Sequence, residues 1–112
     1  MARKRETLDT IIARRAARED ARSEATATAV AAMFRRAPLT LAGDAPIGGK
    51  EVMHLGSPAG VYTLHRDGRD FTIHHTLTGD LVTDTHIMGG DPEDSYLRIM
   101  ATVAQHVATH RL

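Results

Sequence analysis

The sequence has no cysteine, no tryptophan and no asparagine, and among its 112 residues only two tyrosines and two phenylalanines. Without cysteine, disulfide frameworks, thiol nucleophiles, zinc ribbons and iron–sulfur clusters are excluded. With so few aromatics, one subunit has little with which to wall a deep apolar pocket. Serine is scarce too, and no serine stands next to a histidine, so no nucleophile and base are paired along the chain and it reads as a non-enzyme. No apolar run approaches the length needed to span a bilayer. Glu6, Thr7, Asp9 and Thr10 interrupt the region behind the charged start, so no secretory signal is visible and a cytoplasmic, membrane-free protein is expected.

What is present fits one folding unit. The composition is 42% hydrophobic and 25% charged, close to a globular average. Arginine far outnumbers lysine and alanine is abundant, a pattern of GC-rich coding that suggests a bacterium or its phage, with a virion location in the second case. The formal net charge is zero but unevenly spread. Residues 1–36 carry nine Lys or Arg against five Asp or Glu, whereas residues 37–112 carry five against nine, so a basic third faces an acidic remainder. Such a split suits either an anionic partner or attraction between the two parts, within a chain or between subunits.

Residues 1–37 are read as one long basic helix, rich in Ala, Arg and Glu and free of Gly and Pro from Lys4 to Arg36. Pro38 ends it. A break near Ser23 into two shorter helices is the alternative. The larger apolar side chains sit at the ends, Leu8, Ile11 and Ile12 at one and Val30, Met33 and Phe34 at the other. Between them Ala17, Ala21, Ala25, Ala29 and Ala32 recur at spacings of four and three, a narrow stripe that admits another helix at close range. Leu8, Ile11, Ile12, Ala17, Ala21, Ala25 and Ala29 are therefore the expected oligomer interface. Arg3, Lys4, Arg5, Arg14, Arg15, Arg18 and Arg22 are the expected contacts for an anionic partner.

Residues 38–50 read as a Gly/Pro connection with a short strand at 39–41. Residues 51–112 read as an antiparallel meander of three to four strands followed by a helix packed on one sheet face, giving an α+β fold. Asp67-Gly68 predicts a two-residue type I′ turn. The register then pairs Leu64 with Phe71 and Tyr62 with Ile73, and a three-residue second turn sets Leu77 opposite Leu81 and Phe71 opposite Ile87. One face becomes apolar and carries Tyr62, Leu64, Phe71, Ile73, Leu77, Leu81 and Ile87. The other carries Thr63, His65, Asp70, Thr72, His74, Thr76, Asp84 and His86. Asp91, Pro92, Glu93 and Asp94 start the last helix, and its core stripe is expected at Leu97, Met100, Ala101, Ala104, Val107 and Ala108.

Seven histidines in so short a chain raise the question of a metal. His65, His74 and His86 share the polar face with Asp84 opposite His74, and could supply nitrogen and oxygen ligands. His106 and His110, four apart on a helix, form a second pair. No His-Glu-x-x-His motif occurs, and histidine is common on half-exposed strands, so no metal or cofactor is assigned. The loop Gly43–Lys50 departs from a phosphate-binding loop in spacing and in leading to a strand.

The order helix, antiparallel strands, helix is similar to that of double-stranded RNA-binding domains and of a family of small bacterial nucleoid proteins. That likeness is of element order alone and carries no residues across. The first family grips phosphate with lysines at the start of its last helix, where Asp91, Glu93 and Asp94 stand here and would repel it. The expectation is a non-enzymatic interaction or assembly protein, homo-oligomeric through its first helix, with a protein partner that the residues do not identify. Non-specific DNA binding through that helix is the alternative.

Overall fold

A single unbroken helix, α1 (Leu8–Arg36), opens the fold. The computed structural model describes residues 7–43 and 47–111, without the side chain of Ala42. Thr7 caps α1 by accepting from the backbone N–H of Thr10 at 3.2 Å. At the other end Ala37 is extended, as a residue before proline prefers. Ser23 does not break the helix. Its hydroxyl lies 2.9 Å from the carbonyl oxygens of both Glu19 and Met88, so it fastens α1 to the body.

The strands β1 (Thr40–Ala42), β2 (Lys50–Ser57), β3 (Gly60–Asp67), β4 (Asp70–His75) and β5 (Leu81–His86) form one antiparallel sheet in sequence order. The helix α2 (Pro92–Thr109) follows. Its N-cap is Asp91, whose carboxylate accepts from the Glu93 N–H at 3.3 Å, and Pro92 occupies its first turn. The sheet has one strand more than the expected three to four, because the short strand in the connection pairs with β2.

The register differs from the expected one by two residues. Leu64 pairs with Ile73 and Tyr62 with His75, because the turn is Gly68-Arg69 rather than Asp67-Gly68. Gly68 has φ +59° and, among the described residues, no non-glycine residue has positive φ, which matches a glycine-first type II′ turn and not type I′. Strand side chains alternate with period two, so a slip of two leaves every face assignment intact. Tyr62, Leu64, Phe71 and Ile73 are accordingly all buried on one face.

The next hairpin slips by two as well, with Phe71 opposite Thr85 rather than Ile87. An irregularity between Ile73 and His74 then brings Leu81 opposite His74, which is a change of parity. Leu81 thereby leaves the covered face, and Leu77 sits in the turn beyond the end of β4; both are exposed, contrary to expectation.

Both helices lie on the covered face. Ala27, Val30, Ala31 and Phe34 from α1 meet Ile99 and Val103 from α2 over the sheet residues. Phe34 packs edge-on against Tyr96 at 4.8 Å and lies 6.4 Å from Phe71. The inward stripe of α2 runs through Tyr96, Ile99, Met100, Val103 and Val107. It is turned about one position, roughly 100°, from the expected stripe, so Leu97, Ala101, Ala104 and Ala108 are exposed.

Glu51 and Arg66, on this same face, are buried together with a guanidinium contact from Arg35. Arg66 also donates to Thr28 Oγ1 at 3.0 Å and to the Gly68 carbonyl at 2.8 Å, which ties α1 to the β2–β3 pair.

Candidate functional site

The most unusual feature is how far α1 outruns what it covers. Its buried residues are Ser23, Thr26, Ala27, Val30, Ala31 and Phe34, whereas every residue from Leu8 to Arg22 is exposed. Ser23 bonds to Met88 and, at 3.5 Å, Asp20 to Arg69, both tying the helix to the body. From Leu8 to Arg22, beyond Ser23, the helix runs for about four turns. The radius of gyration, 18.0 Å, exceeds the roughly 13 Å of a compact domain of this size.

The projecting turns are sided. At about 100° per residue, Leu8, Ile12 and Ala16 continue the stripe that faces the body lower down. Leu8 is 71% exposed and Ile12 56%. Arg14, Arg15, Arg18 and Arg22 fall within one sector of about 100°, with Ile11 among them. Ala17, Ala21, Ala25 and Ala29 lie about 150° from the body-facing stripe; the first three are exposed and Ala29 is half-buried. The expected interface residues therefore divide between two sides of the helix rather than forming one. Arg3, Lys4 and Arg5 lie outside the described residues.

A groove of about 430 Å³ opens beside the core between the α1–β1 connection, the β2–β3 turn and α2. Leu39, Leu55, Tyr62, Tyr96, Met100, Val103, Ala104 and Val107 supply its apolar lining. The scarcity of aromatics argues against such a space, yet two of the four, Tyr62 and Tyr96, stand in its wall.

The seven histidines fall into two sets. His54, His65, His74 and His86 occupy the open sheet face, which neither helix covers. There His65 and His74 stand edge to face at 6.3 Å, and His86 Nδ1 lies 2.6 Å from Asp70 Oδ1. Asp84 is opposite Thr72, not His74, so the expected His74–Asp84 pair is not formed.

The remaining three, His75, His106 and His110, gather at the other side of the sheet with Asp80. His75 ends β4 at an inward position and is buried. Thr78 and Gly79 turn the chain so that Asp80 comes back alongside, its N–H donating to Thr78 Oγ1 at 3.2 Å. From α2, His106 places Nε2 3.1 Å from Asp80 Oδ2, and His110 stacks on His106 at 3.9 Å. His75, Asp80 and His106 each offer a ligand atom within 4.8 Å of the others, the one such group among the described residues. The hydrogen bonds from His106 and then Thr78 hold the Asp80 carboxyl below the usual carboxylate range. Burial, and secondly the charge of Asp80, push the Tyr62 hydroxyl above its ordinary value.

Sequence reasoning missed His75 and Asp80. The signal for His75 was the period of two from Phe71 through Ile73, which puts position 75 inside. For Asp80 no local signal existed, because its role depends on α2 crossing the turn.

Comparisons with protein-family models, with curated proteins and with solved structures find no match for this chain. Among the described residues no helix is long and apolar enough to cross a membrane.

Proposed function

We propose that the protein is a non-enzymatic assembly module that associates with further copies of itself through the projecting half of α1. One observation carries this reading: Leu8 and Ile12 continue the body-facing stripe of α1 yet have no body beneath them. Leaving such side chains in water forfeits roughly 1.5 to 3 kcal/mol each relative to burial, and a lone helix of this length is marginal. A second copy supplies what one chain lacks. Its apolar groove can receive the Leu8–Ile12 side, and its acidic remainder attracts the basic first third.

The test is multi-angle light scattering on the purified chain and on Ile12→Asp. The wild type is expected to exceed 12.2 kDa at micromolar concentration, and Ile12→Asp to return to that mass with its sheet and core still folded. A folded wild-type monomer across that range contradicts the proposal.

A second reading rests on the shared sector of Arg14, Arg15, Arg18 and Arg22, which presents like charges along one side of a rod. Such a row suits a phosphate backbone without reading bases. Retention on heparin or DNA that collapses with salt supports it, and sequence preference argues against it.

A further inference from the structure

The geometry points to a divalent transition-metal site, of the zinc type, formed by His75 Nδ1, Asp80, His106 Nε2 and His110 Nε2, and independent of self-association. The hydrogen bonds behind the cluster carry the case. His75 Nε2 lies 2.7 Å from the Ala59 carbonyl and His110 Nδ1 lies 3.0 Å from the His106 carbonyl. A carbonyl only accepts, so each of those nitrogens carries a hydrogen, and in the neutral ring that a metal binds the other nitrogen holds the lone pair. His106 Nδ1 meets the Tyr62 hydroxyl at 2.7 Å; while Nε2–H donates to Asp80 that hydroxyl can donate to Nδ1, and with a metal on Nε2 it can instead accept a hydrogen bond from Nδ1–H. Every imidazole is thus held from behind by an oxygen, the arrangement that orients histidines toward a metal.

What the lone pairs face is equally specific. His110 Nε2 lies 3.8 Å from Asp80 Oδ2, which leaves room for a cation shared between an imidazole nitrogen and a carboxylate oxygen. The same Asp80 oxygen already serves His106, and His75 reaches the group through the buried end of β4. Around zinc at 2.0 to 2.2 Å, tetrahedral ligand atoms stand about 3.4 Å apart, against the present limit of 4.8 Å for His75, Asp80 and His106. Side-chain rotation, with the Thr78 hydroxyl giving up its 2.8 Å contact with His75 Nδ1, closes that difference. Three nitrogens and one oxygen suit zinc and its neighbours, whereas magnesium and calcium prefer oxygen alone. Ligands come from β4, the β4–β5 turn and α2, so the ion would fasten the end of α2 to the sheet and act structurally.

The test is titration of the full-length chain with Zn²⁺ by calorimetry and with Co²⁺ by visible absorption, whose ligand-field bands distinguish tetrahedral from octahedral coordination. One equivalent is expected, with tetrahedral bands and a rise in Tm of roughly 10 °C at a hundredfold excess over Kd. Asp80→Asn, at an exposed position, and His110→Ala, at a half-buried one, are expected to weaken binding at least about tenfold, and His86→Ala on the open face to leave it unchanged. Circular dichroism establishes that each variant is folded. Absence of saturable binding to the wild type, octahedral bands, binding that survives both cluster variants, or loss in His86→Ala overturns the assignment.

Discussion

Arg66 Nη1 lies 3.3 Å from Glu51 Oε1 within the covered face of the sheet, and both side chains are almost wholly removed from solvent. Glu51 takes its second guanidinium contact from Arg35 on α1, so one carboxylate joins the helix to two strands. Removing it strands the buried Arg66 charge. Glu51→Ala is therefore expected to destabilise the fold by about 3 to 5 kcal/mol, as read from urea unfolding. A loss below about 1 kcal/mol would mean that water reaches Arg66, as at an exposed pair.

Phe71 sits at the centre of the core with no exposed surface and Phe34 above it. Phe71→Ala is expected to cost about 3 to 5 kcal/mol by the same measurement. Leu81→Ala and Leu77→Ala, at exposed positions, are expected to fall within about 0.5 kcal/mol of wild type. That contrast tests the irregularity between Ile73 and His74, because in the register read from sequence all three side chains would have been core.

Much of the architecture was legible because the strongest local signals are also the least ambiguous. Pro38 stops α1, Asp91-Pro92 starts α2, and the alternation along β3 and β4 divides the faces whichever even register is adopted. Details set by contacts between elements were not legible. Asp67-Gly68 favours one turn in isolation, but pairing Asp67 with Asp70 lets β3 extend to its full length against β2. The twist of α2 relative to the sheet chose Ile99 and Val103 over Leu97 and Ala104. The histidine cluster needed that crossing as well, since His75, Asp80 and His106 are widely spaced in sequence.

The groove supplies a third prediction. Ala104 lies in its lining but is exposed, so Ala104→Glu is expected to leave the fold intact while weakening self-association by at least about tenfold, through a charge placed against apolar side chains. Sedimentation equilibrium reads the change. Unaltered association with a folded variant would take the groove out of the interface and leave pairing between the projecting helices alone.

For the anionic reading, replacing Arg14, Arg15 and Arg18 together by alanine is expected to reduce the slope of log affinity against log salt by roughly 0.9 for each phosphate that those side chains neutralise. Fluorescence anisotropy with a random-sequence duplex measures it. Affinity and slope unchanged by the triple substitution would remove α1 as the contact surface.

Amide hydrogen exchange along α1, followed residue by residue at low and at high micromolar concentration, tests self-association most directly. Amides from Ala27 to Phe34 are covered by the chain's own body and should be protected at both concentrations. Amides of the projecting turns, from about Ile12 to Arg22, should exchange rapidly in dilute solution and become protected as copies associate. Rapid exchange in the projecting turns at every concentration would contradict assembly through α1.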